Sequence, residues 1–159
     1  MRAVALALVL FGTVACSTQY GEMGFTGGVE SQRIDSRTVR ISARGNGYTS
    51  SGTVQEFALL RAAQDTLGAG YQYFGVVGSD NASQLESIVT PGHAQTTVYG
   101  TTAITTYSPG QTMEFVKPGR DVLIRMFSAA EVGPSAPPGI YNAAEIMQYL
   151  GPKHLKSKA

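Results

Sequence analysis

The chain has no tryptophan, one cysteine, two histidines, and charged side chains at only 14% of its positions. One cysteine excludes an intramolecular disulfide framework and any cysteine-based zinc cluster. The two histidines lie in unpromising places for hydrolysis, His93 after Pro91-Gly92 and His154 near the C-terminus, and no G-x-S-x-G motif accompanies them. We therefore expect no catalytic residue, no metal and no cofactor. Charge of one sign is missing too: twelve Lys/Arg stand against eleven Asp/Glu, a net charge of +1. That balance argues against a nucleic-acid binder, which works through many phosphate contacts. What is present is 159 residues of 43% hydrophobic content, enough for one domain with a packed core.

The N-terminus reads as an address. After Met1-Arg2 comes an apolar run, Ala3 to Ala15, containing Leu6, Leu8, Leu10 and Phe11. At about 1.5 Å per residue a helix there reaches about 20 Å, short of a hydrocarbon core of about 30 Å. A positive start, a short apolar stretch and small residues before a cut describe a secretory signal peptide over residues 1–15. The next residue is Cys16, and Thr13-Val14-Ala15-Cys16 is similar to the lipobox of bacterial lipoproteins, with Thr13 in place of the usual Leu. That resemblance implies lipidation of Cys16 and anchoring by acyl chains such as palmitate. Each buried methylene adds about 0.8 kcal/mol, so several chains hold a small domain firmly. Ser17 follows instead of Asp, which by the enterobacterial pattern implies the outer membrane, with the domain facing the periplasm.

Residues 16–28, rich in Gly, Ser, Thr and Gln, are expected to form a lipidated tether. A single α+β domain is expected over 29–152. Val39, Ile41 and Ala43 alternate with Arg40, Ser42 and Arg44, the period of a half-buried strand over Thr38–Arg44. Gly45-Asn46-Gly47 then turns the chain. Thr53 and Glu56 have capping-box spacing, and Phe57, Leu60, Gln64 and Leu67 recur at helical intervals until Gly68 or Gly70. Tyr71–Gly78 reads as a buried central strand. Ser79–Gly92 reads as a loop with a turn of helix at Gln84–Ile88. Further strands are predicted at Thr96–Tyr107, Gln111–Lys117 and Asp121–Ser128, with Ser108-Pro109-Gly110 as a hairpin turn. A Pro-rich linker, Gly133–Gly139, leads to a short helix Ile140–Leu150 that Gly151-Pro152 ends, and residues 153–159 form a basic tail. The order implies a mixed or antiparallel sheet of about four to five strands, packed by one main helix and a short C-terminal helix.

Four blocks carry a family resemblance: Gly27-Gly28-Val29-Glu30-Ser31, Arg44-Gly45-Asn46-Gly47-Tyr48-Thr49, Leu59-Leu60-Arg61-Ala62-Ala63 and Gly70-Tyr71-Gln72-Tyr73-Phe74. In order and spacing they resemble a family of uncharacterised proteobacterial lipoproteins with GGYS, RGNGYT, LLRAAE and GYxYF blocks. Val29 replaces an aromatic and Gln64 a frequent Glu. The resemblance implies an envelope lipoprotein and no particular activity.

Gly45 to Ser50 lies between a strand and a helix, where a dinucleotide fingerprint would sit, but the third glycine and the following acid are missing. The binding face to test is Arg40 and Arg44, joined by Arg61, with Asn46 and Tyr48 as polar neighbours. Against it stands a plain solvated strand face, with Arg61 pairing Asp65 one turn on. The sequence reading is a non-catalytic, lipid-anchored envelope protein that docks an envelope partner. Its rival is a periplasmic binder of a small anionic ligand through the arginine face, and an enzyme comes third.

Overall fold

The computed structural model describes residues 16–155. The expected signal peptide and the last residues of the basic tail, 156–159, lie outside them. Strands β1 (Gly28–Arg33) and β2 (Thr38–Arg44) form a hairpin, followed by α1 (Ser51–Gly68). Then come β3 (Tyr73–Asn81), β4 (Gln84–Thr90), β5 (His93–Tyr99), β6 (Thr102–Ser108), β7 (Gln111–Lys117) and β8 (Gly119–Phe127). The chain closes with α2 (Ala129–Val132), β9 (Ile140–Asn142) and α3 (Ala143–His154). The fold is α+β: five strands pair in the order β1-β2-β8-β3-β9, every pair antiparallel.

Alternation decides which face of this sheet is dry. Val39, Ile41 and Ala43 of β2 and Val122, Ile124 and Met126 of β8 turn inward, where Val54, Phe57, Ala58, Ala62 and Ala63 of α1 cover them. The alanines let the helix sit close, and Phe57, fully buried, contributes about 1.5–3 kcal/mol. Phe74 of β3 completes the core and stacks on Tyr141, ring centroids 5.5 Å apart. The opposite face, with Arg40, Ser42, Arg44, Asp121 and Arg125, is exposed or half-buried.

Several boundaries differ from expectation, each for a local reason. Helix α1 is capped by Ser50, whose Oγ accepts the Thr53 amide at 3.1 Å, and not by Thr53. Glu56 is thereby freed for the C-terminal helix. Central position in the sheet belongs to β8, and β3 is buried only at Phe74 and Gly75. Helix α3 runs through Gly151-Pro152 to His154, so the basic tail begins inside it. Lys153 and His154 both reach Glu56, at 2.6 Å, which holds that last turn onto α1. The expected loop at 79–92 contains the strand β4 instead of a turn of helix, because each of its residues from Gln84 to Thr90 is paired with β7. The single strand expected at Thr96–Tyr107 is two, turned at Gly100-Thr101.

The tether also differs. Residues 16–28 are folded onto the domain. Thr18 is buried; its amide donates to Thr49 Oγ1 and its hydroxyl accepts the Asn46 amide, both at 2.9 Å. Tyr20 packs edge-on against Phe57, and its hydroxyl donates to Gln64 Oε1 at 2.5 Å. Burial pushes the Tyr20 phenol up to about 12.

Candidate functional site

The expected arginine face comes apart in the structure. Arg40 and Arg44 lie on the uncovered face of the sheet, whereas Arg61 projects from α1 on the other side. Arg44 makes a two-pronged bond to Asp121, 2.7 and 3.2 Å, and this guanidinium holds the Asp121 carboxyl below its ordinary value. Arg61 bonds Glu22 at 2.6 Å, Asp65 at 3.2 Å and the Ser31 hydroxyl at 3.0 Å. The charges of Arg44 and Arg61 are thus matched within the protein, the outcome that the i,i+4 spacing of Arg61 and Asp65 anticipated. Arg40 and Tyr48 remain exposed on the surface.

Asn46 has a structural task. Its Oδ1 accepts the Tyr48 amide at 3.0 Å and the Thr49 hydroxyl at 2.8 Å, while its Nδ2 donates to the Cys16 carbonyl at 2.7 Å. Asn46, Thr49 and Thr18 therefore form a knot that fixes where Cys16 emerges. Beside it a cleft of about 360 Å³ opens between Gly24–Gly27, Arg44 and Asn46 on one side and Gln84, Lys117 and Pro118 on the other. Among the described residues no three His, Cys, Asp or Glu side chains could share a metal ion.

The feature that sequence reasoning missed is an arm. β4 pairs β7 and β5 pairs β6, and the register runs straight from one ladder to the next: Thr90 faces Gln111, and His93 faces Ser108. β3 and β8 lead into it with Asn81 opposite Arg120. The result is one long two-stranded hairpin leaving the sheet. At about 3.3 Å per residue, Gln84 to Tyr99 reaches roughly 50 Å. Its tip is Gly100-Thr101; Gly100 has φ 62° and Thr101 stays out of the left-handed region, the pattern of a II′ turn. Pro91-Gly92 and Pro109-Gly110 lie across from each other midway, and a Cβ on Gly92 would come within 2.8 Å of the Gly110 amide nitrogen. Ser108-Pro109-Gly110 is therefore a crossing point and not the hairpin turn.

Beyond its root the arm keeps its large apolar side chains exposed. Leu85, Val89, Val98, Tyr99, Tyr107 and Met113 are each between 65% and 68% exposed. Each ladder has only two strands, which leaves a row of unpaired amides and carbonyls along both sides. Such a hairpin alone in water is marginally stable at best. From Ser87 to Met113 the sequence contains no Asp, Glu, Lys or Arg, the one signal that could have marked it in advance. Its charges sit at the root, where Lys117 bonds Glu86 at 2.8 Å.

The arm's root and Cys16 lie at the same end of the domain. The Phe115 ring rests on Gly47, where a Cβ would come within 2.8 Å of it, and Gly47 adjoins the Asn46 that holds Cys16. Phe25, fully exposed, lines the same cleft. No described helix is long and apolar enough to cross a membrane. Compared with known proteins, the chain matches no family model, no curated protein and no solved structure.

Proposed function

We propose that the protein is a lipid-anchored lipoprotein of a bacterial envelope, most simply of the outer membrane facing the periplasm, and that it acts without catalysis as an interaction module. Its contact surface is the hairpin arm, in place of the Arg40/Arg44 face. The observation that carries this reading is the arm itself: apolar side chains left in water and two open edges, rooted beside the residue that the lipobox pattern marks for acylation. Exposed apolar surface on this scale, next to unpaired strand edges, is the signature of a surface kept for a partner. A small-anion site at the arginine face is the weaker reading, because Asp121 and Glu22 already occupy the guanidinium groups of Arg44 and Arg61.

The anchoring half is tested by mass spectrometry of the N-terminal peptide from protein extracted from membranes. An acylated Cys16 at the new N-terminus is expected, with palmitate labelling lost in Cys16→Ser. A free thiol at an internal Cys16 would overturn it.

A further inference from the structure

We propose that the arms of several copies of this chain pair edge to edge into one closed β-barrel, each copy giving two strands, and that this barrel crosses the membrane holding the Cys16 acyl chains. The inference rests on the envelope reading above and names the partner of the arm as further copies of the same chain.

Four observations lead there. The first is charge. Side chains buried in a bilayer are costly when ionised, and the arm is free of Asp, Glu, Lys and Arg from Ser87 round the tip to Met113. Glu86, Glu114 and Lys117 collect at the root, where a membrane surface would lie. The second is length. Ser87 to Tyr99 spans about 40 Å of strand. Tilted by about 40°, as barrel strands are, it rises roughly 30 Å, against an apolar band of about 25 Å.

The third is patterning. In the outer ladder, Ala94, Thr96 and Val98 share one face with Ala103, Thr105 and Tyr107. The other face carries His93, Gln95 and Thr97 with Thr102, Thr106 and Ser108, and Ile104 and Tyr99 among them. Both faces carry threonine, but His93, Gln95 and Ser108 lie on the second and Val98 with two alanines on the first, a bias in the sense that a lumen-facing and a lipid-facing surface need, while Val89 on the second face and Gln111 on the first run against it. The fourth is the edges. In lipid no water satisfies an open strand, so a two-stranded arm cannot insert alone; only closure removes the edges. The smallest such barrels, of about eight strands, are filled by their own side chains, and a water-filled lumen takes about sixteen, so an open barrel of these hairpins needs on the order of eight copies. In water, edges are guarded by charge or proline. Here Pro91 and Pro109 are midway, and beyond them the strands carry no Lys or Glu at all.

Cys16 supplies the geometry of insertion. Because Asn46 ties its carbonyl beside Gly47, and Phe115 at the arm's root sits on Gly47, acyl chains on Cys16 would enter the membrane where the arm enters it.

The test uses the full lipidated protein, extracted in mild detergent and returned to vesicles of phosphatidylethanolamine and phosphatidylglycerol loaded with a fluorescent dye. The wild type is expected to be an oligomer by native mass and to release the dye. Val98→Arg, on the lipid-facing side, should cut release at least ten-fold while its body melts at the wild-type temperature. Thr97→Arg, on the lumen side, should still insert and should shift the single-channel ion preference towards anions. An acylated monomer with tight vesicles would overturn the barrel and leave the anchoring reading standing. Dye release by a protein whose Cys16 carries no lipid would do the reverse. Oligomers with tight vesicles would assign the arms to pairing in water and also overturn the proposal, as would a Val98→Arg protein as leaky as wild type.

Discussion

The β3–β8 ladder and the arm it becomes are one antiparallel hairpin, shifted in register once between Val76 and Gly78, yet its two ends meet different physical conditions. In the body, Phe74, Ile124 and Met126 are fully buried under α1. Past Asn81 and Arg120 the same alternation has no helix to face, and Val98 and Tyr99 are two-thirds exposed. Both ends satisfy the hydrogen bonds between their strands. Only one buries what those strands carry, so backbone pairing fixes the shape of the arm while burial fixes the stability of the body.

The largest expected effect sharpens that contrast. Phe57→Ala removes a ring packed between Tyr20 and His154, at 5.4 and 5.1 Å between centroids, and opens the core. It should cost about 3–5 kcal/mol of unfolding free energy, measured by urea denaturation. A loss below about 1 kcal/mol would mean that α1 is not the lid of this sheet.

Acid should act next, and on the body. Four carboxyls there are held below their ordinary values: Asp35 by the Arg37 amide, Glu56 by the Lys153 ammonium, Asp121 by Arg44, and Glu131 by the Ser128 amide and Arg37, the last pulled down to about 2. Groups depressed in the folded state stabilise it fully above their unfolded values, 3.8 to 4.5, and lose that contribution as pH falls through the folded ones. The melting temperature should therefore be flat from pH 7 to about 5 and fall steadily below about 4. Glu131→Gln should lower it at pH 7 and flatten the acid decline; a variant with the wild-type slope would show that the helix cap at Ser128 contributes nothing.

A smaller change of opposite sign is expected at Thr66. It is fully buried, and its hydroxyl has no hydrogen-bond partner among the described residues. Thr66→Val keeps the shape and removes the stranded polar atom, so it should stabilise the body by about 1 kcal/mol, read as a raised urea midpoint. The smallest effect belongs to the arm: Val98→Ala, already in water, should move the melting temperature of detergent-free monomer by less than a degree or so, the surface range being about 0.5 kcal/mol or less. A core-sized loss there would show that the arm is packed against something in solution.

Much of the body was legible in the sequence because its signals are local. The alternation of Val39, Ile41 and Ala43 and the spacing of Phe57 and Leu60 each report which side of an element is dry. The arm was harder. Thr96–Tyr107 has strand propensity throughout, so nothing in its composition announced a turn at Gly100, while Ser108-Pro109-Gly110 had the chemistry of one. The arginine face failed for a related reason: spacing placed Arg40 and Arg44 on one side of β2, but the partners that neutralise Arg44 and Arg61 come from β8 and from the segment before β1, far along the chain.

The sequence by itself determined the α+β class and the periodicity of the core-facing strands and helices, since each is written within a few neighbouring residues. Tertiary structure alone decided that Asp121 takes Arg44, that Thr18 and Asn46 lock the segment after Cys16 onto the domain, and that two unremarkable threonine-rich stretches stand together as an arm beside it. Those outcomes depend on which distant segments come into register, and pairing between distant segments leaves no periodic trace in either one alone.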